Sequence, residues 1–222
     1  AYTRKEKAAN YLTGLGFNEI FTNSITNAAY FEQAELDNAV RLLNNLSAAH
    51  NILRPSMLET GLESVAYNLN RKNPDLRFFE FGKVYHTPKP GSYEEQERLC
   101  LYVTGNASGS SWKGKTVKTD IYYLKGALVS IFQLLGLSNL NWEPLSLARF
   151  ENALAVRYGS QTLAELGTVK KKELLRFDIK QEVFFADIRW EALQKLLASH
   201  AISFKQLPNQ LPVYRDLALV VD

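Results

Sequence analysis

Cysteine is nearly absent from this sequence, which contains only Cys100 among 222 residues. A single cysteine excludes an internal disulfide, and its place in the apolar run 99–103 indicates a core position. No segment approaches the roughly 20 consecutive apolar residues that a membrane span requires. No charged and apolar leader precedes Tyr2. We therefore expect a soluble, cytoplasmic protein that does not associate with a membrane.

The sequence also lacks a large excess of charge of one sign. It contains 26 Lys and Arg and 23 Asp and Glu, for a formal net charge of +3. That balance does not identify a nucleic-acid binder unless the basic residues cluster. The densest basic groups are Lys170, Lys171 and Lys172, and Arg71, Lys72 and Arg77. A solvated turn or helix end is the ordinary interpretation of such groups, and RNA contact is the alternative.

Motifs for metal binding or nucleophilic catalysis are missing as well. His50, His86 and His200 lie far apart, with no cysteine or carboxylate at the spacing of metal ligands. No HExxH, nucleophile elbow or P-loop occurs. The sequence therefore predicts no metal centre and no catalytic residue from these classes.

The segment 51–85 is the most informative part of the chain. Ser56 followed by Glu59 predicts a capping box at the start of a helix. An apolar stripe at helical spacing follows, with Glu59, Glu63, Asn70 and Arg71 expected to face outward. The stripe consists of Leu58, Leu62, Val65, Ala66 and Leu69.

Residues 76–85 follow a helix-ending Asn-Pro-Asp sequence and predict a largely buried strand. Glu80 lies between aromatic residues in this strand. Its pKa could be raised, as in a catalytic carboxylate, but a structural pairing with the backbone or an arginine explains it better. We assign Glu80 a structural role.

The rest of the chain predicts strands and helices in mixed order. The expected elements are a helix 3–15, a strand 18–25, a short helix 27–34, a strand 39–44, a long loop 86–97, a strand 98–104, a loop 105–118 anchored by Trp112, a helix 121–135, a hairpin 153–158 and 162–169, a strand 183–189 and a helix 191–199. They predict an α+β fold with a mainly antiparallel sheet flanked by helices.

Several segments, in order, resemble one family. They are GFNEI at 16–20, LRPS at 53–56 with the helix ending NLNR and the strand FFEFGKVY, DIYYLKG at 120–126, DIKQEVFFAD at 178–187, and LPVYRDLALVVD at 211–222. Together they resemble the β subunit of bacterial phenylalanyl-tRNA synthetase over most of the chain. The resemblance implies a class II synthetase-like core at 1–205. It also implies that 206–222 begins a ferredoxin-like anticodon-binding domain, so that the chain is part of a longer protein.

The resemblance further implies an inactive module, because three features of active class II enzymes are missing. Thr22-Asn23-Ser24 stands where the opening strand would end in proline, and Val84-Tyr85-His86-Thr87 where an arginine would contact the α-phosphate. No glycine-rich segment ending in arginine follows Gly167. Since phosphate charge requires fixed cationic donors, we expect the chain alone to bind no cofactor and to be noncatalytic.

The function implied is architectural, within a ligase that acts in translation. The β subunit would support the catalytic α subunit in an α2β2 tetramer that attaches phenylalanine to tRNA(Phe), using ATP and magnesium. The expected contact surface is formed by Tyr11, Phe17, Ile20 and Phe21, each of which could equally be core.

Two alternatives stay open. One is a stand-alone RNA-binding module that uses Lys170, Lys171 and Lys172 with Lys113, Lys115 and Lys118. The other is an active ATP-dependent ligase with unusual residues.

Overall fold

A computed structural model describes residues 2–44, 47, 49–89, 91–109, 112, 114–199, 215, 216 and 218. The predicted domain 206–222 lies outside the described residues except at three isolated positions. Its boundary near residue 205 therefore stays a prediction. Lys113 and His200 also lie outside the described residues.

Helices and runs of strands follow one another in mixed order along the described chain. The helices there are α1 Tyr2–Gly14, α2 Gln33–Leu36, α3 Leu58–Leu69, α4 Ile121–Leu134, α5 Lys171–Leu175 and α6 Trp190–Ser199, with a 3-10 helix at Ala28–Tyr30. The strands there are β1 Asn18–Glu19, β2 Ile25–Thr26, β3 Ile52–Leu53, β4 Leu76–Lys89, β5 Ser92–Thr104, β6 Asn106–Ser108, β7 Val117–Lys118, β8 Asn141–Leu145, β9 Phe150–Tyr158, β10 Gln161–Val169 and β11 Val183–Arg189.

A seven-stranded sheet in the order β1-β4-β5-β11-β10-β9-β8 organises the chain. Only β1 runs parallel to its neighbour, β4, and every other pair in this sheet is antiparallel. Two small sheets, β2 with β3 and β6 with β7, lie outside it. The predicted α+β fold with a mainly antiparallel sheet is confirmed.

One side of the sheet, the first face, is covered by α1, α4 and α6. Leu12, Leu124, Leu128, Ile131 and Leu193 are fully buried in the cluster that joins these helices to the sheet. Because the apolar positions of residues 121–135 recur at helical spacing, they form one buried stripe. The predicted amphipathic helix is confirmed.

The opposite side, the second face, carries α3 and α5. Leu58, Leu62 and Val65 of the predicted stripe are fully buried against the aromatic residues of β4, β5 and β11. Gly61 of α3 lies directly over the ring of Tyr102, where a Cβ atom would collide with that ring. The Tyr102 hydroxyl donates to the Met57 carbonyl at 2.6 Å, so the helix sits close to the sheet.

The segment between β1 and α3 differs most from the expectation. The predicted strand 18–25 is wrong: β1 ends at Glu19, and β2 pairs with β3 in a separate sheet. The predicted helix 27–34 is split, because Phe31 and Glu32 have extended backbone between the 3-10 helix and α2. The Asn27 side chain caps the 3-10 helix through the Ala29 amide at 2.9 Å. The predicted strand 39–44 is reduced to a bridge between Arg41 and Ile52.

The predicted capping box at the start of α3 is also wrong. The Ser56 hydroxyl accepts a hydrogen bond from the amide of Leu58, two residues on, at 3.1 Å. Glu59 does not reach back along the chain and does not face outward. It is 1% exposed and forms an ion pair with Arg149. The half-buried guanidinium of Arg149 thus pairs with the carboxylate that a capping box would need.

Two expected loops contain strands. Instead of a long loop 86–97, β4 and β5 form an extended hairpin paired as far as Lys89 and Ser92, with an ion pair between Lys83 and Glu95 at 2.7 Å. Strands β6 and β7 interrupt the predicted loop 105–118. Trp112 does not anchor that segment, because it is 97% exposed.

Candidate functional site

A row of polar side chains crosses four neighbouring strands on the second face. Glu80 of β4 lies opposite Cys100 of β5, which lies opposite Asp187 of β11, which in turn lies opposite Glu165 of β10. We call these four residues the charged row. Since residues in register share a face, the sheet brings three carboxylates to one level although they come from distant parts of the chain.

Glu80 is fully paired with Arg54. Both side chains are buried, at 1% and 2% exposure, and both terminal nitrogens of Arg54 lie 3.2 Å from Glu80 Oε1. Arg54 Nε also donates to the Lys83 carbonyl at 2.9 Å. Thr22 donates its amide to Oε1 at 3.1 Å and its hydroxyl to Oε2 at 2.8 Å. The expected structural pairing of Glu80 with an arginine is therefore confirmed.

The other two carboxylates of the row each have one guanidinium partner. Arg98 Nη1 lies 3.3 Å from Asp187 Oδ2, and Arg189 Nη2 lies 2.7 Å from Glu165 Oε1. Burial raises the pKa of Asp187, and the charge of Arg98 opposes this shift. Burial likewise raises the pKa of the Cys100 thiol well above its usual range, so this cysteine is not a reactive thiolate.

Arg149 provides a fourth cation, just before β9. It contacts Glu35 of α2 at 3.1 Å and also pairs with Glu59 of α3. Burial lowers the pKa of Arg149, and Glu35 opposes that shift. This arginine joins α2 and α3 to the edge of β9, so its charge is used inside the fold.

A cavity of about 400 Å³ opens on the second face beside the charged row. The side chains of Asp187, Glu165, Phe150 and Phe185 are among those that line it. The rings of Phe150 and Phe185 stack at 5.8 Å, with an interplanar angle of 4°. The cavity therefore combines an aromatic wall with two carboxylates, a pattern found in small-molecule sites.

The residues expected to contact another subunit differ in exposure. Phe17 is 2% exposed and packs in the core under the first face. Tyr11 and Ile20 are half-buried, and Phe21 is 95% exposed. The structure thus places Phe17 in the interior and leaves the subunit contact of Tyr11, Ile20 and Phe21 as a prediction.

The lysine triplet lies at the start of the short helix α5. The Lys170 amide donates to the Arg149 carbonyl at 3.0 Å, and Lys172 Nζ lies 3.2 Å from Glu32 Oε1. Lys171 is exposed. The three lysines are neighbours in space, and their contact with RNA stays a prediction.

The described residues contain neither a metal-binding cluster nor a membrane-spanning helix. Within them, His, Cys, Asp and Glu form no group of three or more that could hold a metal ion. None of the helices in the described part of the chain is long and apolar enough to cross a membrane.

Sequence reasoning missed Arg54, Arg149 and Asp187, which organise the second face. Arg54 lies 26 positions from Glu80, and Asp187 lies 87 positions from Cys100. Period-two alternation in β11 could have signalled that Phe185, Asp187 and Arg189 share a face. No local pattern assigns a partner to any of these charges, because each pairing depends on the sheet order.

Comparison with known proteins places this fold in a family. The family model described as "Phenylalanyl tRNA synthetase beta chain CLM domain" matches residues 1–190. The phenylalanine–tRNA ligase beta subunit of Bacteroides fragilis is 42% identical over 96% of this chain. That of Porphyromonas gingivalis is 32% identical over all of it. The chain spans 28% and 29% of the lengths of these two relatives.

A solved structure shows the same architecture in a more distant protein. The pyrrolysyl-tRNA synthetase PylSc of Desulfitobacterium hafniense superposes with a TM-score of 0.68. The superposition covers 91% of this chain and 70% of that one, at 19% sequence identity. This likeness confirms the predicted class II synthetase-like fold. The family match over residues 1–190, together with the 42% identity to the Bacteroides fragilis protein, shows that the chain belongs to the family of phenylalanyl-tRNA synthetase beta chains.

Proposed function

We propose that this chain is a noncatalytic scaffold module of a phenylalanyl-tRNA synthetase β subunit. The observation that carries the proposal is the pairing of four guanidinium groups on the second face. Arg54, Arg98, Arg149 and Arg189 each face a carboxylate of the same chain.

Amino-acid activation with ATP needs cationic donors aimed at phosphate oxygens. Here such a donor would first have to leave its carboxylate, which costs roughly 3–5 kcal/mol for the buried pair of Arg54 with Glu80 and less for the more exposed pair of Arg189 with Glu165. Five carboxylates and two arginines line the cavity, so a polyphosphate would also meet unfavourable charge. The second face is therefore suited to holding the fold together rather than to binding nucleotide.

The proposed partner is the catalytic α subunit, in an α2β2 assembly that attaches phenylalanine to tRNA(Phe) with ATP and magnesium. Phe21 supports this proposal, because a phenylalanine at 95% exposure lies just after the edge strand β1. Exposed aromatic side chains near a sheet edge are common at subunit contacts. The cytoplasmic location stays a prediction.

Two measurements test the scaffold proposal. The chain alone should show no phenylalanine-dependent ATP–pyrophosphate exchange, whereas the β subunit that carries it should support aminoacylation when combined with α. Exchange by the chain alone would contradict the proposal and favour the active-ligase alternative.

Substitution of Phe21 tests the partner. Phe21→Asp in the full β subunit should reduce co-purification with α, because a carboxylate would be buried in an apolar contact. Tyr93→Asp is the matched control, since Tyr93 is 72% exposed at the far end of the β4–β5 hairpin. Equal loss in both variants, or no loss in either, would contradict the assignment of Phe21.

The RNA-binding alternative predicts a different result. Replacement of Lys170, Lys171 and Lys172 by alanine should then weaken tRNA binding by the chain and flatten its dependence on salt. Unchanged binding and an unchanged salt slope would leave the scaffold role without a direct RNA contact at α5.

A further inference from the structure

We propose that the cavity on the second face is a binding site for a small organic cation that carries an apolar or aromatic group. The proposal rests on the geometry of this cavity and does not depend on the scaffold function. The positive charge would lie between Asp187 and Glu165, and the apolar group would lie against Phe150 and Phe185.

Two like charges lie side by side at the cavity. Asp187 and Glu165 are directly opposite each other on neighbouring antiparallel strands, and both line the cavity. Like charges in this position destabilise a sheet unless a cation lies close to both. Arg98 contacts Asp187 from β5, and Arg189 contacts Glu165 from two residues further along β11. Each guanidinium thus contacts one carboxylate directly, although the charge of Arg189 also acts on Asp187.

The Asp187 carboxylate has unused hydrogen-bonding capacity. Among the described residues, Oδ2 has a contact with Arg98, and Oδ1 accepts only from the thiol of Cys100 at 3.7 Å. A thiol is a weak donor, whereas a carboxylate can accept several strong hydrogen bonds. The Asp187 side chain is 27% exposed and lines the cavity, so an ammonium group entering there could reach it. Burial is the main cause of the raised pKa of Asp187, and the neighbouring charge of Glu165 raises it further.

The rest of the cavity wall is largely apolar. The stacked rings of Phe150 and Phe185, with Leu147, give the cavity a mostly apolar lining. A volume of about 400 Å³ falls within the range of small-molecule sites. A simple metal cation would satisfy the carboxylates but leave this apolar wall unused. An organic ammonium ion with a ring or branched hydrocarbon group would use both parts.

Calorimetric titration of the chain with three probes that share a phenylethyl group tests the charge preference of the cavity. The probes are 2-phenylethylammonium, neutral 2-phenylethanol and anionic 3-phenylpropanoate, each at low salt and neutral pH. We expect the ammonium probe to bind at least about tenfold more tightly than the alcohol, and the carboxylate probe to bind most weakly. Shifts in the NMR signals of the Phe150 and Phe185 rings should accompany binding.

Two variants test whether the cation binds between Asp187 and Glu165. Asp187→Asn and Glu165→Gln should each reduce the advantage of the ammonium probe over the alcohol by at least about fivefold, because each removes one attracting charge. Glu143→Gln, on the edge strand β8 and away from the cavity lining, should preserve it. If Asp187→Asn does not fold, Glu165→Gln alone tests the position of the cation. Glu165 is 30% exposed, so its substitution should disturb the fold less.

Several outcomes would overturn the proposal. They are equal binding of the ammonium and alcohol probes, tighter binding of the carboxylate probe, no binding of any probe, and an ammonium preference that both cavity variants retain.

Discussion

The two faces of one sheet are held in different ways. The first face is joined to α1, α4 and α6 by fully buried aliphatic side chains such as Leu124 and Leu128. The second face combines the apolar stripe of α3 with guanidinium–carboxylate pairs such as Arg54 with Glu80. The difference shows which parts of the structure can be predicted from sequence patterns alone. Periodic burial specifies a helix locally, whereas charge pairing on a sheet depends on strands that are distant in sequence.

The largest loss of stability is expected from a variant that breaks the charge pairing of the second face. Arg54→Met should destabilise the chain by roughly 3–5 kcal/mol, because it leaves the 1% exposed carboxylate of Glu80 without its cation. Urea denaturation measures the change. The double variant Arg54→Met with Glu80→Met should lose less than Arg54→Met alone, since no buried charge is left unpaired.

The exposed hairpin pair provides the matched control for this variant. Lys83→Met removes a cation that lies 2.7 Å from Glu95, but both side chains are about half exposed, and the loss should stay below about 1 kcal/mol. A loss for Lys83→Met as large as that for Arg54→Met would contradict the distinction between buried and exposed pairs.

The second prediction tests whether apolar packing is equally important on both faces. Leu128→Ala on α4 and Leu62→Ala on α3 each remove a fully buried side chain, and each should cost roughly 2–5 kcal/mol. Leu43→Ala is the control, because Leu43 is 98% exposed and its truncation should have little effect. A denaturation midpoint for Leu62→Ala equal to that of the wild type would mean that α3 does not pack as described.

The sequence predicts most of the first face and only part of the second. Regular apolar spacing identifies α3 and α4, and the Gly159-Ser160 turn identifies the β9–β10 hairpin. The same reasoning fails in the described part of residues 18–53. The strands there are short, and individual side-chain contacts determine the backbone more than periodic strand pairing does. Thr22, for example, follows β1 and donates its hydroxyl to Glu80, which lies 58 positions away in the sequence.

The candidate site was less predictable than the fold, for the same reason. The interpretation of Glu80 as a paired structural carboxylate is confirmed, but its partner Arg54 carries no local signal. Glu59 was expected to cap its own helix, and instead it pairs with Arg149, 90 positions along the chain. Side chains that act across a sheet can be assigned only when the strand order is known.

The third prediction concerns the start of α3, where a local polar contact supports the second face. Ser56→Ala removes the hydroxyl that accepts from the Leu58 amide and should cost about 1 kcal/mol, the usual value of a helix-start hydrogen bond. Ser56→Thr retains an accepting hydroxyl and should lose less. A loss for Ser56→Ala that matches Leu62→Ala would indicate a wider role for this serine.

The smallest expected effect is a change in the pH dependence of stability, and it sharpens the comparison at Asp187. The pKa of this carboxyl is raised above its ordinary value of 3.8, chiefly by burial. The folded chain therefore holds the proton more tightly than the unfolded chain. The stabilisation due to this proton is fully present below the ordinary value and is lost as pH rises through the raised pKa.

Asp187→Asn isolates this contribution, because asparagine does not titrate. We expect the stability of the wild type relative to Asp187→Asn to fall as pH rises from about 3.8 and to become constant once the native carboxyl is ionised. Arg98, Cys100, Glu165 and Arg189 face this group and remain in both proteins, so they largely cancel in the difference. Urea denaturation of both proteins across this pH range gives the slope. A relative stability that rises with pH would mean that Arg98 outweighs burial and that the carboxylate beside the cavity already has sufficient positive charge.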